Sequence, residues 1–526
     1  MGNCLQSSLL WRVMQTIGHA FAACASSSRI FAAIGRMWRG SRTRAWILRR
    51  LDAEPSSTQN AAYSRLSARL NSSCAKSSVK DWWNASLCGR LWQTILSALQ
   101  KSRIIGWLFA DGIHGLLLFA VGGYVMIDWL LRDALAVPLV SSVWDELLLI
   151  FCVFWLIWRR CGRRSPLDVR ANPLDLPIAL FMAFGLLLMC IVSPYPAIQV
   201  SGYRATVQYL LWFFVLTRLF ESDRDFKRLY LTLCAVALIL SLHGIYQYII
   251  GVPMPKNWVA AAETAVRTRV FSIFGSPNIM GDFMVLFVPM TAALAYHTDK
   301  KPLQALAWAS AIILCVACLF TMSRGAWVAM AVTIVLFILL VDRRLFWLLF
   351  AGIIVLMFIP FVRTRIGFLF TEDFVAANTN GGRAGRWENG LALLESANPL
   401  TGFGLGMFGG AVAMQNQVLD GVDYFYMDNY YLKIFVEMGW LGIGSFVFML
   451  LGMFSASVRA LRRTAASFKQ QTGSMYPLIA GMFSGLVGVL VHCYFENIFE
   501  EPYMMVYFWA IAAMIVWAGF LRKPKN

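Results

Sequence analysis

From about residue 113 to its C-terminus the chain keeps returning to apolar runs long enough to cross a bilayer, and this recurrence narrows the possible folds more than any other feature. A membrane-spanning helix needs roughly 17–25 predominantly apolar residues. About twelve runs qualify, near 113–131, 144–158, 174–193, 205–220, 229–250, 278–297, 303–322, 325–341, 345–362, 429–453, 476–496 and 502–521. The composition agrees: 59% of the 526 residues are hydrophobic and 14% are charged, against roughly 45–50% and about 25% in soluble domains. The expected fold is an all-α polytopic membrane protein of about twelve transmembrane helices.

The connections sort by charge. RRCGRRSPLDVR, TRLFESDRDFKR, HTDKK, VDRR, VRALRRTAASFK and the tail RKPKN fall on alternate connections, on the same side as a basic N-terminus. The positive-inside rule then puts both termini in the cytoplasm. The net charge of +18 is spent on these connections, not gathered on one soluble face, so nucleic acid is not an expected partner.

Residues 1–103 form a separate basic cytoplasmic extension, with 15 Lys and Arg against Asp52, Glu54 and Asp81 and with Ser-rich stretches. It contains no run of spanning length. Segments such as LLWRVMQTIGHAFAACA and RIFAAIGRMWRG read either as basic amphipathic helices on an anionic membrane face or as poorly ordered chain. The opening MGNC fails the myristoylation pattern because position 6 is Gln. Residues 104–526 form the transmembrane domain. Its Cys315-x-x-Cys318 pair lies inside an apolar run with no second pair and no His beside it, and reads as helix packing, not as a metal or redox site.

The other face holds the unusual material. A connection of 65 residues, 363–427, joins the ninth and tenth runs and contains GGRAGRWENGLALLESANPLTGFGLGMFGG, an amphipathic helix over about Ala384–Glu395 and then a Gly-rich turn region. Ordered loops of this length are usually functional. Arg204, Arg267, Arg269, Arg324, Arg363, Arg365, Arg383 and Arg386 all fall on this face, against the charge bias. Singly, each reads as a snorkelling anchor or a salt-bridge partner. Together they make a cationic surface suited to phosphate or diphosphate, which guanidinium binds in bidentate fashion. In FGSPNIMG, Ser276 fits an N-cap and Pro277 the first helical position, so a helix with outward-facing amides should open there. Arg383 and Arg386 sit at the start of the loop helix, where a cation opposes the helix dipole and a bound anion would offset it.

Asp428 stands immediately after the long loop, at the mouth of the tenth run, DNYYLKIFVEMGWLG. It reads either as an N-cap or as a general base facing a reacting hydroxyl. Glu437 is not its partner: nine residues along a helix is about 900° and about 13 Å. Lys433 and Glu437 are four apart on one face and can neutralise each other in the bilayer.

RVFSIFGSPN, TMSRGAW, RAGRWENGLALLESANPLTGFGLGMF and DNYYLKIFVEMGWLG, in this order and placement, resemble the bacterial O-antigen ligase and polymerase family of integral membrane glycosyltransferases, over roughly residues 175–520. The resemblance implies a multi-pass protein of the bacterial cytoplasmic membrane. Its donor would be an undecaprenyl-diphosphate-linked glycan and its acceptor a glycan or glycolipid, with membrane lipids and other polysaccharide-assembly proteins as surroundings. No nucleotide sugar, cofactor or metal is implied. Arg269 and Arg383 match the family's functional arginines, followed by Arg386 and Arg324; Asn278 and Asn429 complete the substrate-binding set, with Asp428 in the catalytic position. One departure stands out. The family's lipid A-core ligases have a catalytic His, then Asn and Gly-x-x-Gly; Asn429, Gly439 and Gly442 hold their places, but Asp428 replaces the His. Asp still accepts a proton, so glycosyl transfer survives the change and the acceptor is left open. A twelve-span transporter or lipid-oligosaccharide flippase is the alternative. It would favour two similar halves with binding at mid-span, whereas no repeat is visible here and the charges cluster at one surface.

Overall fold

The computed structural model describes residues 65, 83–101, 111–163, 171–192, 195–255, 258, 268–372, 382–418, 424–468 and 473–522. Most of the N-terminal extension, both amphipathic stretches named in it, and Arg267 lie outside these residues. What is described is helix and turn, with no strand among the described residues. The described part of the extension is α1 (Leu87–Lys101), which presents Leu87, Leu91 and Ile95 as an exposed apolar stripe at four-residue spacing.

Every expected run contains helix, though not with the expected shape. The first is split into α2 (Gly112–Gly122) and α3 (Tyr124–Trp129), bent by 76°. Then come α4 (Trp144–Arg163) and α5 (Asp175–Ile191). The fourth run starts earlier than expected, as α6 (Pro196–Val207), and passes through a 3-10 turn into α7 (Leu211–Leu219). α8 (Asp223–Ile250), α9 (Pro277–His297), α10 (Lys301–Phe320) and α11 (Arg324–Leu340) follow. The ninth run is again broken, α12 (Leu345–Phe358) turning by 87° into α13 (Pro360–Gly367), because Pro360 cannot continue the preceding hydrogen-bond ladder. The loop helix α14 (Arg383–Ser396) precedes α15 (Tyr430–Phe468), α16 (Tyr476–His492) and α17 (Pro502–Val516). By length and composition, five helices among the described residues can cross a membrane, or up to seven if each bent pair is one span. α5, α11 and α16 are apolar but shorter. The helices thus bear out a membrane protein with several spans; twelve is the expectation from the apolar runs alone.

The core centres on α9 and α17, which are apolar all round and almost wholly buried, as such helices must be. Gly481 and Gly485 of α16 lie directly over the Pro289 and Leu286 carbonyls of α9, where a Cβ would come within 2.6 and 2.3 Å. Small residues therefore bring these two backbones together. Toward one end of the pair, Asp282 of α9 meets His492 of α16, Oδ1 to Nδ1 at 3.0 Å, both fully buried. One helical turn further on lies the polar cluster described next.

Candidate active site

The loop helix forms almost where its periodicity places it, from Arg383 to Ser396. Arg383 and Arg386 are three apart and share a face. Arg383 Nε donates to Asp428 Oδ2 at 2.8 Å, and Arg386 Nη2 donates to the same oxygen at 2.7 Å. Asp428 is 6% exposed. The two arginines at the unfavourable end of the helix dipole thus receive their compensating charge from within the chain. The other carboxylate oxygen, Oδ1, is buried without a hydrogen-bond partner, and so is Arg386 Nε.

Asp428 does not cap α15, contrary to one sequence expectation. Asn429 does: its Oδ1 accepts the Leu432 N–H at 3.1 Å, and its carbonyl accepts the Lys433 N–H at 3.0 Å. With the cap supplied by its neighbour, the Asp428 side chain is free to turn toward α14.

A second arm reaches the same cluster. α9 opens at Pro277 as expected, although the Ser276 side chain makes no capping bond. In its first turn, Asn278 accepts from Arg269 Nη2 at 3.0 Å and donates to Glu496 Oε2 at 2.5 Å. Glu496 Oε2 is 4.0 Å from Arg383 Nη2. Arg269 is held from behind, donating to the Thr321 carbonyl at 3.0 Å and the Trp258 carbonyl at 2.7 Å. A continuous polar chain therefore runs Arg269, Asn278, Glu496, Arg383, Asp428, Arg386. Glu496 was not among the expected site residues; its only signal in the sequence is the carboxylate-rich FENIFEE between the last two apolar runs.

Three further arginines of that face serve other contacts. Arg324 opens α11 and lies over the Phe368 ring, 5.5 Å from its centroid. Arg365 is buried and donates to the Met322 carbonyl at 3.2 Å, one residue along the turn that takes Arg269. Arg204 pairs with Glu146.

The Gly-rich turn region docks on α15 at a break in that helix. Gly439 has φ +60° and ψ −161°, and a Cβ there would lie 2.5 Å from the Leu400 carbonyl carbon. The break frees backbone groups on either side: Phe403 and Gly404 N–H donate to the Val436 and Glu437 carbonyls (3.1 and 2.8 Å), while Trp440 and Leu441 N–H donate to the Pro399 and Leu400 carbonyls (2.9 and 3.1 Å). Lys433 and Glu437 pair as expected, Nζ to Oε2 at 2.9 Å and fully buried. Glu437 does more than neutralise Lys433, since its Oε1 also accepts the Gly406 and Phe408 N–H groups at 3.0 and 3.3 Å. Glu500 fastens the loop's other side by accepting from the Ala411 N–H and the Tyr426 hydroxyl, both at 2.5 Å. Burial and that carboxylate push the Tyr426 hydroxyl up from its ordinary pKa. Next to it, burial raises the Glu501 carboxyl to about 7, Glu500 adding to the effect. Among the described residues, no group of three or more His, Cys, Asp or Glu side chains is placed to hold a metal ion.

The arrangement offers three guanidinium groups, a buried carboxylate with one oxygen lacking a hydrogen-bond partner, and a second carboxylate that faces Arg383 and reaches Arg269 through Asn278. Such a set can bind a diphosphate and accept a proton beside it. Residues 309–447 match the family model described as O-antigen ligase, a likeness of that segment in line with the resemblance carried by the motifs. The matched segment holds Arg324, Arg383, Arg386, Asp428 and Asn429, while Arg269, Asn278 and Glu496 reach the cluster from outside it. No curated protein matches the chain.

Proposed function

We propose that the chain transfers or polymerises a lipid-linked oligosaccharide at the outer face of the bacterial cytoplasmic membrane, with both termini inside and the 363–427 loop outside. The observation that carries this reading is the split role of Asp428: one oxygen is held by two guanidinium groups and the other has no hydrogen-bond partner.

Arg269, Arg383 and Arg386 hold the diphosphate of an undecaprenyl-diphosphate-linked glycan, with Arg324 at the rim. The acceptor hydroxyl gives its proton to Asp428 Oδ1 while its oxygen bonds to the anomeric carbon of the donor. The bond from that carbon to the diphosphate oxygen breaks, and the lipid diphosphate leaves with the electron pair. The arginines stabilise the charge that grows on it, an electrostatic contribution of the oxyanion-hole kind. Asn278 and Glu496 fix Arg269 and Arg383, and Asn429 fixes the backbone that presents Asp428. Ligase and polymerase differ in this scheme only in whether the acceptor is a glycolipid or the end of another glycan.

The test compares wild type, Asp428→Ala and Arg383→Ala, purified in detergent with a lipid-linked oligosaccharide. A longer or transferred glycan formed by wild type and lost in both folded variants supports the reading. An active Asp428→Ala protein returns Asp428 to a structural role, and a wild type that binds the substrate without product removes the transferase.

A further inference from the structure

Trp387 follows Arg386 in α14, and Tyr494 lies two residues before Glu496, so each is chain-adjacent to a member of the Asp428 cluster. They meet edge to face with ring centroids 5.0 Å apart and planes at 72°. Tyr494 is 48% exposed and Trp387 is half-buried. The indole Nε1–H of Trp387 is buried without a hydrogen-bond partner, as is the neighbouring Arg386 Nε. Two unpartnered donors in consecutive residues leave hydrogen-bonding capacity unused beside the ring pair.

A sugar ring has the complementary chemistry. Its axial C–H bonds make an apolar face that packs on an aromatic ring, and its rim hydroxyls accept from N–H donors. Binding sites of this kind combine aromatic walls with a few placed polar groups. Continuity with the arginines decides which sugar. Trp387 lies four residues after Arg383 on the same face of α14, so a glycan joined to a diphosphate held by Arg383 places its first residue beside the indole. We infer that Trp387 and Tyr494 form a sugar subsite that receives the diphosphate-linked residue of the donor and orients its anomeric carbon toward Asp428. This inference rests on the proposed transferase reading.

The test measures binding of two probes to the full chain in detergent. One is glycan-free undecaprenyl diphosphate; the other is the lipid-linked oligosaccharide extracted from cells that make this protein. Wild type should bind the glycan-bearing lipid more tightly. Trp387→Ala and Tyr494→Ala should each bind it about tenfold more weakly, the size expected for truncating a central aromatic contact, with the glycan-free lipid bound as by wild type. Trp387→Phe keeps an aromatic face and should retain most of the preference. Equal losses for both probes would make the pair a structural or membrane-boundary contact, and no loss for either would remove the subsite. If wild type binds glycan-free diphosphate but shows no preference for the glycan, the subsite fails while the diphosphate site stands. If wild type binds neither probe, the transferase reading fails first.

Discussion

Replacing Glu437 with Gln should be the most destabilising single-atom change in the loop-bearing half of α15. Glu437 is wholly buried and Lys433 is 5% exposed, so the ammonium has no route to water when its partner is neutralised. Breaking a buried ion pair from one side costs about 3–5 kcal/mol, chiefly as the penalty of the stranded charge. The Gly406 and Phe408 amides would still find an oxygen on Gln, but a neutral one, weakening two charge-assisted bonds. Lys433→Met is the milder change, about 1–3 kcal/mol, because the carboxylate left behind keeps those two backbone donors. The double variant Lys433→Met/Glu437→Gln strands no charge within the pair and should lie close to wild type, giving a coupling energy of about 4 kcal/mol or more. Apparent Tm of the detergent-purified proteins, at one scan rate because such unfolding is commonly irreversible, should rank Glu437→Gln lowest, then Lys433→Met, then the double variant. Limited proteolysis should open the 398–410 segment in the same order. A Glu437→Gln protein as stable as wild type would refute the argument, since it would mean that the pair is solvated or already neutral.

Other consequences follow from the same geometry. Gly439→Ala forces a side chain into a backbone conformation essentially reserved for glycine, about 1–3 kcal/mol of strain, and pushes a methyl into the Leu400 carbonyl; lower apparent Tm and a protease-sensitive loop are expected, and an unchanged Tm would contradict the docking. His492→Gln loosens the rung below the Asn278–Glu496 contact and should lower transferase activity more than diphosphate binding; equal losses of both would point to general unfolding. Glu501 binds a proton in the folded state up to about pH 7. Because its folded pKa lies above its ordinary value of 4.5, its contribution is fully present below about 4.5 and is lost as pH rises through about 7. The loss is on the order of 3 kcal/mol. Stability should therefore fall between pH 5 and 8 in wild type and less steeply in Glu501→Gln; parallel profiles would remove the assignment.

What the sequence made legible were features with a local cause. The apolar runs predict where helix forms, and the amphipathic pattern over about Ala384–Glu395 predicts the loop helix with Arg383 and Arg386 at its start. The four-residue spacing of Lys433 and Glu437 predicts their pairing. Contacts across the bundle were not legible in the same way. Glu496 lies 218 residues from Asn278, and Asp282 lies 210 from His492; nothing in either helix alone says that α9 and α16 adjoin. The break at Gly439 was hidden for a related reason: a glycine inside an apolar run reads as packing until a loop is seen to need the freed backbone groups. The capping question went to Asn429 over Asp428 because both residue types cap well, and the arginines on α14 settle which of them turns away.

The fate of the lipid diphosphate distinguishes glycan transfer from lipid transport. Purified wild-type protein, supplied with lipid-linked oligosaccharide and an acceptor, should release one undecaprenyl diphosphate for each glycan joined, seen by mass spectrometry of the lipid fraction. Asp428→Asn should abolish both products together. Movement of intact lipid-linked oligosaccharide across a vesicle membrane, with no diphosphate released, would contradict the central claim.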